Sequence, residues 1–322
     1  MIKLKDITSA QQIIAGRVHR TPLLSSMSLG KRTGVRLHFK AEVFQKTGSF
    51  KPRGSINKLH HLTREERRRG VITTSSGNHA QGFAYAASLF GVSATVVMSH
   101  TTPLNKVNAT KGYGAEVVLT KGDLFTTYLK IQRERNLTLV HPFDDPHIVA
   151  GHGTVGLEIL DDLPEVDAVF VPIGGGGLIS GIATAIKLKK PAVKIVGVEP
   201  IGASAMWQSL QRKAVVHPDK IDTIAEGLAA PFVGELNLAL VQKYVDDVVL
   251  VSDDEIIEAL FLILERCKIL TEPAGAAGFA ALLFQKASIP SGSEVVCLLS
   301  GGNIDRSRLG DLLSKKAPLT KT

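Results

Sequence analysis

Lysine is a poor nucleophile while hydrated and charged. Burial lowers its pKa and frees the amine for Schiff-base chemistry. The strongest local candidate for that chemistry is Lys46-Thr47-Gly48-Ser49-Phe50-Lys51-Pro52-Arg53-Gly54, where Lys51 lies between Phe50 and Pro52 and leads into a helical pattern. Read alone, such a lysine also suits a surface position with its stem packed. A second segment, Ser75-Ser76-Gly77-Asn78-His79, follows an apolar run and opens a helix. The free amides and positive dipole end of a helix start, with the Ser75 and Ser76 hydroxyls and the Asn78 amide, suit a carboxylate; an ordinary N-cap fits equally well. A third, Gly174-Gly175-Gly176-Gly177-Leu178, sits between an apolar run and a helical one. Its glycines let backbone amides turn inward and approach a phosphate. The fourth, Ser300-Gly301-Gly302-Asn303, ends an apolar run and reads either as a ligand contact or as a turn.

The glycine loop also admits a dinucleotide-binding reading. The strict G-x-G-x-x-G pattern fails, because Gly175 and Gly177 are followed by Ser180, but Glu199 ends the next apolar run where a ribose-binding acid would sit. An NAD-dependent dehydrogenase therefore stands as the alternative from another reaction class, and a non-catalytic ligand-binding protein as a third. No G-x-x-x-x-G-K-[ST] element is present. His141, His147 and His152 lack the i, i+4 spacing of a helical metal pair, and no Cys/His cluster suggests zinc. His60 and His61 read as solvated, and Asp144 and Asp145 as turn residues.

The elements that must position these groups follow from periodicity. Apolar runs at 71–74, 93–98, 115–120, 137–140, 167–173, 193–198, 247–251 and 294–300 alternate with helical patterns such as 78–90, 178–189 and 253–265. That alternation predicts an α/β fold of two lobes, each an open, twisted, mostly parallel sheet with helices on both faces. The 322-residue length suits two cores. We expect a small mobile domain over 52–147 and a large cofactor-binding domain formed by 1–51 with 148–322, divided in the loop 141–153. The ligand is expected in the crevice between them.

Composition excludes several classes. Hydrophobic residues are 44%, charged residues 21%, and the net charge is +8. The basic excess gathers at Arg64, Arg67, Arg68 and Arg69 and at Lys315, Lys316 and Lys321, with no aromatic residue among positions 64–69 to stack a base. This predicts a solvated helix face and no nucleic-acid partner. No window approaches the roughly 20 apolar residues of a membrane span, so no membrane partner is expected. The first sixteen residues read as a helix with a stripe at Ile7, Ile13 and Ile14, not as a secretory signal. Cys267 and Cys297 read as small core residues, and with no disulfide framework the expected location is cytoplasmic.

Taken in order, the motifs resemble the fold-type II (tryptophan synthase beta-like) pyridoxal-phosphate family, in its threonine dehydratase and serine racemase branch. The resemblance runs from Arg20-Thr21-Pro22-Leu23 through SFKPRG (49–54), SSGNHAQG (75–82), PLNKVNATKGYGAEV (103–117), VAGHGTVGLEIL (149–160), GGGGLISG (174–181) and EPAGAAG (272–278) to SGGNID (300–305). It implies a PLP-dependent lyase that converts L-threonine or L-serine to a keto acid and ammonia, with serine racemase or hydroxyaspartate dehydratase as alternatives. It implies pyridoxal 5'-phosphate as cofactor and a small hydroxy-amino acid as substrate; a homodimer or homotetramer is expected, dimers being the commonest closed assembly of soluble proteins. By the same resemblance Lys51 binds the cofactor covalently and moves the Cα proton, and Phe50 packs near the ring. Asn78 bonds the ring hydroxyl. Gly174, Gly175, Gly176, Gly177 and Leu178 cradle the phosphate, and Ser300 faces the pyridine nitrogen. Ser75, Ser76, Gly77, Asn78 and His79 take the substrate carboxylate, with Ser76 the opposite-face acid or base in racemases.

The chain also departs from that pattern. The branch holds a divalent cation by a glutamate, a backbone carbonyl and an aspartate. Glu199 and Ala203 match the first two, but Ala205 stands at the third, so no tight divalent site is expected. The usual A-D-G aspartate is Glu226, and Ala230 replaces a serine, which points away from racemisation. No arginine near 122–126 is placed to grip a second carboxylate, which favours threonine over hydroxyaspartate. The chain ends too soon after Asn303 for the regulatory domain of the long biosynthetic enzymes, so isoleucine inhibition is not expected.

Overall fold

The computed structural model describes residues 1–314. Lys315, Lys316 and Lys321 of the basic tail lie outside the described residues. Ten strands form two sheets: β1 (Leu23–Ser25), β2 (Arg36–Ala41), β3 (Val71–Thr74), β4 (Ala94–Ser99), β5 (Glu116–Thr120), β6 (Thr138–Leu139), β7 (Ala168–Pro172), β8 (Lys194–Pro200), β9 (Asp247–Val251) and β10 (Glu294–Leu299). One sheet has the order β1-β2-β10-β7-β8-β9, the other β5-β4-β3-β6. Every pairing is parallel except β1 with β2. Helices cover both faces, as the unalternating burial of β7 requires: all five of its residues are buried.

The eight anticipated strands form within a residue or two of their apolar runs. β1 and β2 were not anticipated. β1 is only three residues long, and β2 (Arg36-Leu37-His38-Phe39-Lys40-Ala41) carries a lysine where a core residue would be expected. Lys40 is fully buried, and its amine meets Glu158 at 2.8 Å, Asp162 at 3.4 Å and the Thr21 carbonyl at 2.7 Å. Its charge is satisfied by partners far away in sequence, so the strand survives it.

The segment 141–153 is a loop only as far as Asp145. Asp145 caps the helix Pro146–Asp162 by accepting from the amides of His147 and Ile148, and Pro146 opens its first turn. Its glycines are contact points rather than breaks. A Cβ on Gly151 would collide with the Arg53 carbonyl, and one on Gly153 would stand 2.9 Å from the Gly181 carbonyl. They let this helix pack closely on the helices Lys51–His60 and Gly177–Lys189.

Candidate active site

The carboxyl ends of both sheets point at one cavity of about 640 Å3. Ser300 follows β10 and Gly174 follows β7; Ser75 follows β3 and Gly122 follows β5, and all four line it. Such convergence is where open α/β sheets bind ligands. The volume is that of a small-molecule site.

Lys51 enters from the first turn of the helix Lys51–His60. The preceding residues are stitched to the β10 end: the Phe50 amide donates to the Ser300 carbonyl at 3.2 Å, and the Gly302 amide to the Gly48 carbonyl at 2.9 Å. Two residues on, Arg53 is fully buried and donates to Glu42 and Glu158, anchoring the same turn. The Lys51 amine donates only to the Pro142 carbonyl at 3.2 Å, 5.0 Å from the Phe50 ring centroid, and no carboxylate pairs with it among the described residues. Burial lowers its pKa to about 8. The free-base fraction therefore grows about tenfold per pH unit up to that value and then levels. Condensation of the apoprotein with an aldehyde should speed up between pH 6 and 8 and flatten above, as stopped-flow absorbance would show. A flat profile over that range would contradict the assignment.

The glycine loop forms the opposite end. The Gly175 carbonyl accepts from the Gly234 amide and from Asn237 Nδ2 at 2.9 Å. That points the carbonyl toward the Asn237 helix and the N–H of the same planar peptide, on Gly176, the other way. Gly176 has φ +92°, which favours glycine, and a Cβ on Gly175 would run into the Phe143 ring. With the N-terminus of the helix Gly177–Lys189 behind it, the loop suits a phosphate dianion.

The loop 75–79 lies on the third wall. The Gly77 amide is taken by the Ser75 hydroxyl at 3.2 Å, and the Ser76 hydroxyl accepts from the Ser99 amide and the Thr102 hydroxyl. His79 is buried with Nε2 3.0 Å from the Thr73 hydroxyl; burial, then the charge of Lys51, holds it well below the usual imidazole range, so it is neutral. Asn78 donates to Glu272 at 2.5 Å and accepts from Asn303 at 2.8 Å. Ser300 is 4% exposed and faces the same space.

Several cavity residues had no role assigned from the sequence, Glu272, His152 and Phe143 among them. Glu272 is partly buried, and desolvation raises its pKa to about 7, against the lowering effect of Asn78 and Lys106. Its signal was present: it is the one acid heading the otherwise apolar helix Pro273–Leu283. His152 is buried and neutral, with its ring edge-on to Phe50 at 4.7 Å. Phe143 closes the glycine loop, with Phe232 at 5.6 Å and Phe125 bridging from the other sheet's helices at 5.5 Å from Phe232. Glu199, the possible ribose-binding acid, does not line the cavity. It is 1% exposed and accepts from the amides of Met206 and Trp207, both at 2.8 Å. That removes the observation on which the dehydrogenase reading stood.

Residues 14–301 match the family described as "Pyridoxal-phosphate dependent enzyme". The chain belongs to that family. An L-threonine ammonia-lyase of Thermotoga maritima is 46% identical over 319 residues, 98% of this chain and 79% of the relative. The structure of maize serine racemase superposes with a TM-score of 0.92 at 39% identity, covering 97% of each chain. The processed threonine deaminase isoform 2 of Solanum lycopersicum superposes at 0.90 with 38% identity, covering 96% of this chain and 91% of that one. The family is of fold type II, and pyridoxal phosphate is its cofactor. The site fits that group on its own terms: a buried lysine amine without a carboxylate partner stands across one cavity from a glycine cradle suited to a dianion.

Proposed function

We propose that the chain is an L-threonine and L-serine ammonia-lyase, a carbon–oxygen lyase giving 2-oxobutyrate or pyruvate and ammonia. The observation that carries this reading is the pairing, in one cavity, of the lowered-pKa Lys51 amine with a hydroxyl, Ser300, at the end of β10. Similarity to the ammonia-lyase and deaminase above supports it. Lys51, Phe50, Asn78, Ser300, Gly174, Gly175, Gly176, Gly177 and Leu178 would hold the cofactor; Ser75, Ser76, Gly77, Asn78 and His79 the substrate carboxylate.

Bound there, pyridoxal phosphate supplies an electron sink for the Cα–H pair of the amino acid. Lys51 Nζ, about half free base at pH 8, takes the Cα proton. Ser300 would face the ring nitrogen, and a hydroxyl there would not keep it protonated as a carboxylate would; the sink supplied would be weak and would favour prompt loss of the β-hydroxyl over transamination. Water leaves, and hydrolysis of the enamine product consumes one water and releases ammonia, so the reaction has no net water. Phe50 and His152 supply an apolar, neutral floor beneath the amine, and the Phe143–Phe232–Phe125 group shields one side from solvent.

Racemisation is a second reading, favoured by one observation: the Ser76 hydroxyl lines the cavity, as an opposite-face acid or base must. We propose 52–147 and 1–51 with 148–322 as the two domains, a homodimer or homotetramer as the assembly, and the cytoplasm as location; no helix among the described residues is long and apolar enough to cross a membrane. With Glu199 engaged by backbone amides and Ala205 beside it, a chelator should leave the melting temperature unchanged, and a clear drop would reveal a cation there. The function is tested by keto-acid release from L-threonine, L-serine, D-serine and L-threo-3-hydroxyaspartate with the cofactor supplied. Release from the L-hydroxy-amino acids is expected; no keto acid from any of the four would reject the lyase.

A further inference from the structure

Lys106 belongs to the helix Leu104–Gly112, on the side of the four-stranded sheet, but its amine crosses the cavity mouth. Nζ lies 2.9 Å from Glu226 Oε2 and 3.8 Å from Asp305 Oδ2, both on the side of the six-stranded sheet. Lys106 and Asp305 are nearly enclosed, at 12% and 15% side-chain exposure, while Glu226 is 62% exposed. All three line the cavity that holds Lys51, Ser76 and Ser300. Thr102, just ahead of this helix, donates to the Ser76 hydroxyl at 2.8 Å, so Lys106 stands about one helical turn beyond a residue that touches the substrate-carboxylate loop. The charges of Lys106 and Glu226 are also felt at Glu272, the partner of Asn78.

The charge count at the mouth is unbalanced. Asp123, Glu226, Glu272 and Asp305 line the cavity with Lys51, Lys106 and Arg308, and Lys106 is already engaged. A substrate with a second carboxylate on its side chain would enter among four acids and find the Lys106 cation taken. A substrate with a hydroxyl or methyl group meets no such repulsion. Selectivity built by a repulsive element of this kind needs no contact with the preferred substrate.

We infer that Glu226 determines substrate charge: by holding Lys106 it reserves the cavity for amino acids with uncharged side chains, and its removal turns Lys106 into a grip for a side-chain carboxylate. The inference rests on the ammonia-lyase reading, which places an α-carboxylate at the loop 75–79. It adds a second ground, beside the missing arginine near 122–126, for the expected preference of threonine over hydroxyaspartate.

The test uses cofactor-loaded protein and a pair of ligands with equal carbon count, succinate and butyrate. Binding is read from the cofactor absorbance, which does not depend on turnover. In Glu226→Gln the dissociation constant of succinate should fall about tenfold, the scale of one hydrogen bond to a charged group, while that of butyrate stays within about twofold. Adding Lys106→Gln should abolish the gain. Turnover of L-threo-3-hydroxyaspartate relative to L-threonine should rise in the single variant. Glu226 is largely exposed and the replacement is isosteric, so folding is not at stake. Succinate binding that is unchanged, that tightens in step with butyrate, or that stays tight without Lys106 would overturn the inference. Failure of the unaltered protein to release keto acid from L-threonine would instead be failure of the lyase reading, and the two are separable because binding is measured independently.

Discussion

Lys51→Ala is expected to abolish keto-acid release while the protein stays folded. Two contributions disappear together: the covalent hold on the cofactor and the base for the Cα proton. Loss of a positioned base alone costs about 10²–10⁴-fold in rate, and loss of the covalent hold adds to it. The fold should not notice. Lys51 stands at the first position of its helix, where alanine is acceptable, and its amine makes a single hydrogen bond, to Pro142. Removing a poorly satisfied buried amine is close to neutral for stability. Far-UV circular dichroism and a thermal melt should match the parent protein while the keto-acid assay reads background. Turnover retained within about tenfold would reject the assignment of Lys51 as that base.

Arg53→Met should produce the largest stability loss of any single change near the site. Arg53 is fully buried and donates to Glu42 at 2.9 and 2.8 Å and to Glu158 at 2.6 and 2.9 Å. Glu158 retains Lys40, but Glu42 keeps only the Thr21 hydroxyl at 2.5 Å and the more distant charge of Lys40. Breaking a buried ion pair on one side costs about 3–5 kcal/mol, because the remaining charge has neither water nor partner. Burial alone would raise the Glu42 pKa; the charge and hydrogen bonds of Arg53 outweigh it, so the carboxyl lies below its ordinary value. In the parent this contribution is present above the ordinary carboxyl range and is lost as pH falls through the lowered folded value. In the variant only the Thr21 hydroxyl and the charge of Lys40 oppose the burial effect, the pKa rises, and stability is lost as pH climbs instead. The gap between the two proteins should therefore be wide at pH 7 and narrower near pH 4.5 by urea unfolding. Arg53→Lys should recover only part of it, since an ammonium cannot bridge two carboxylates as the planar fork does. An unfolding midpoint at pH 7 equal to the parent's would contradict the role given to this cluster.

What could be read from the sequence follows a physical division. Elements whose signal is local were legible. The helix Asn78–Phe90 and the strand β7 fall where periodicity and unbroken apolarity put them. Ser252 caps its helix with the capping box expected of Ser followed by Glu255. Features that depend on partners far along the chain were not. β2 was hidden by Lys40, whose charge is met from residues 158 and 162. The segment 141–153 reads as loop although its helix starts at Pro146, because the backbones that Gly151 and Gly153 admit lie in other helices. The same holds at the site. The four motifs that line the cavity each carry a local glycine or hydroxyl signature. Glu272, His152 and Lys106 matter through contacts with Asn78, Phe50 and Glu226, which no spacing rule reaches.

The most direct test of the cofactor's attachment is borohydride reduction of the loaded protein followed by peptide mass mapping. A single pyridoxyl adduct on Lys51 is the expected result. An adduct on another lysine, with Lys51 unmodified, would contradict the site built here.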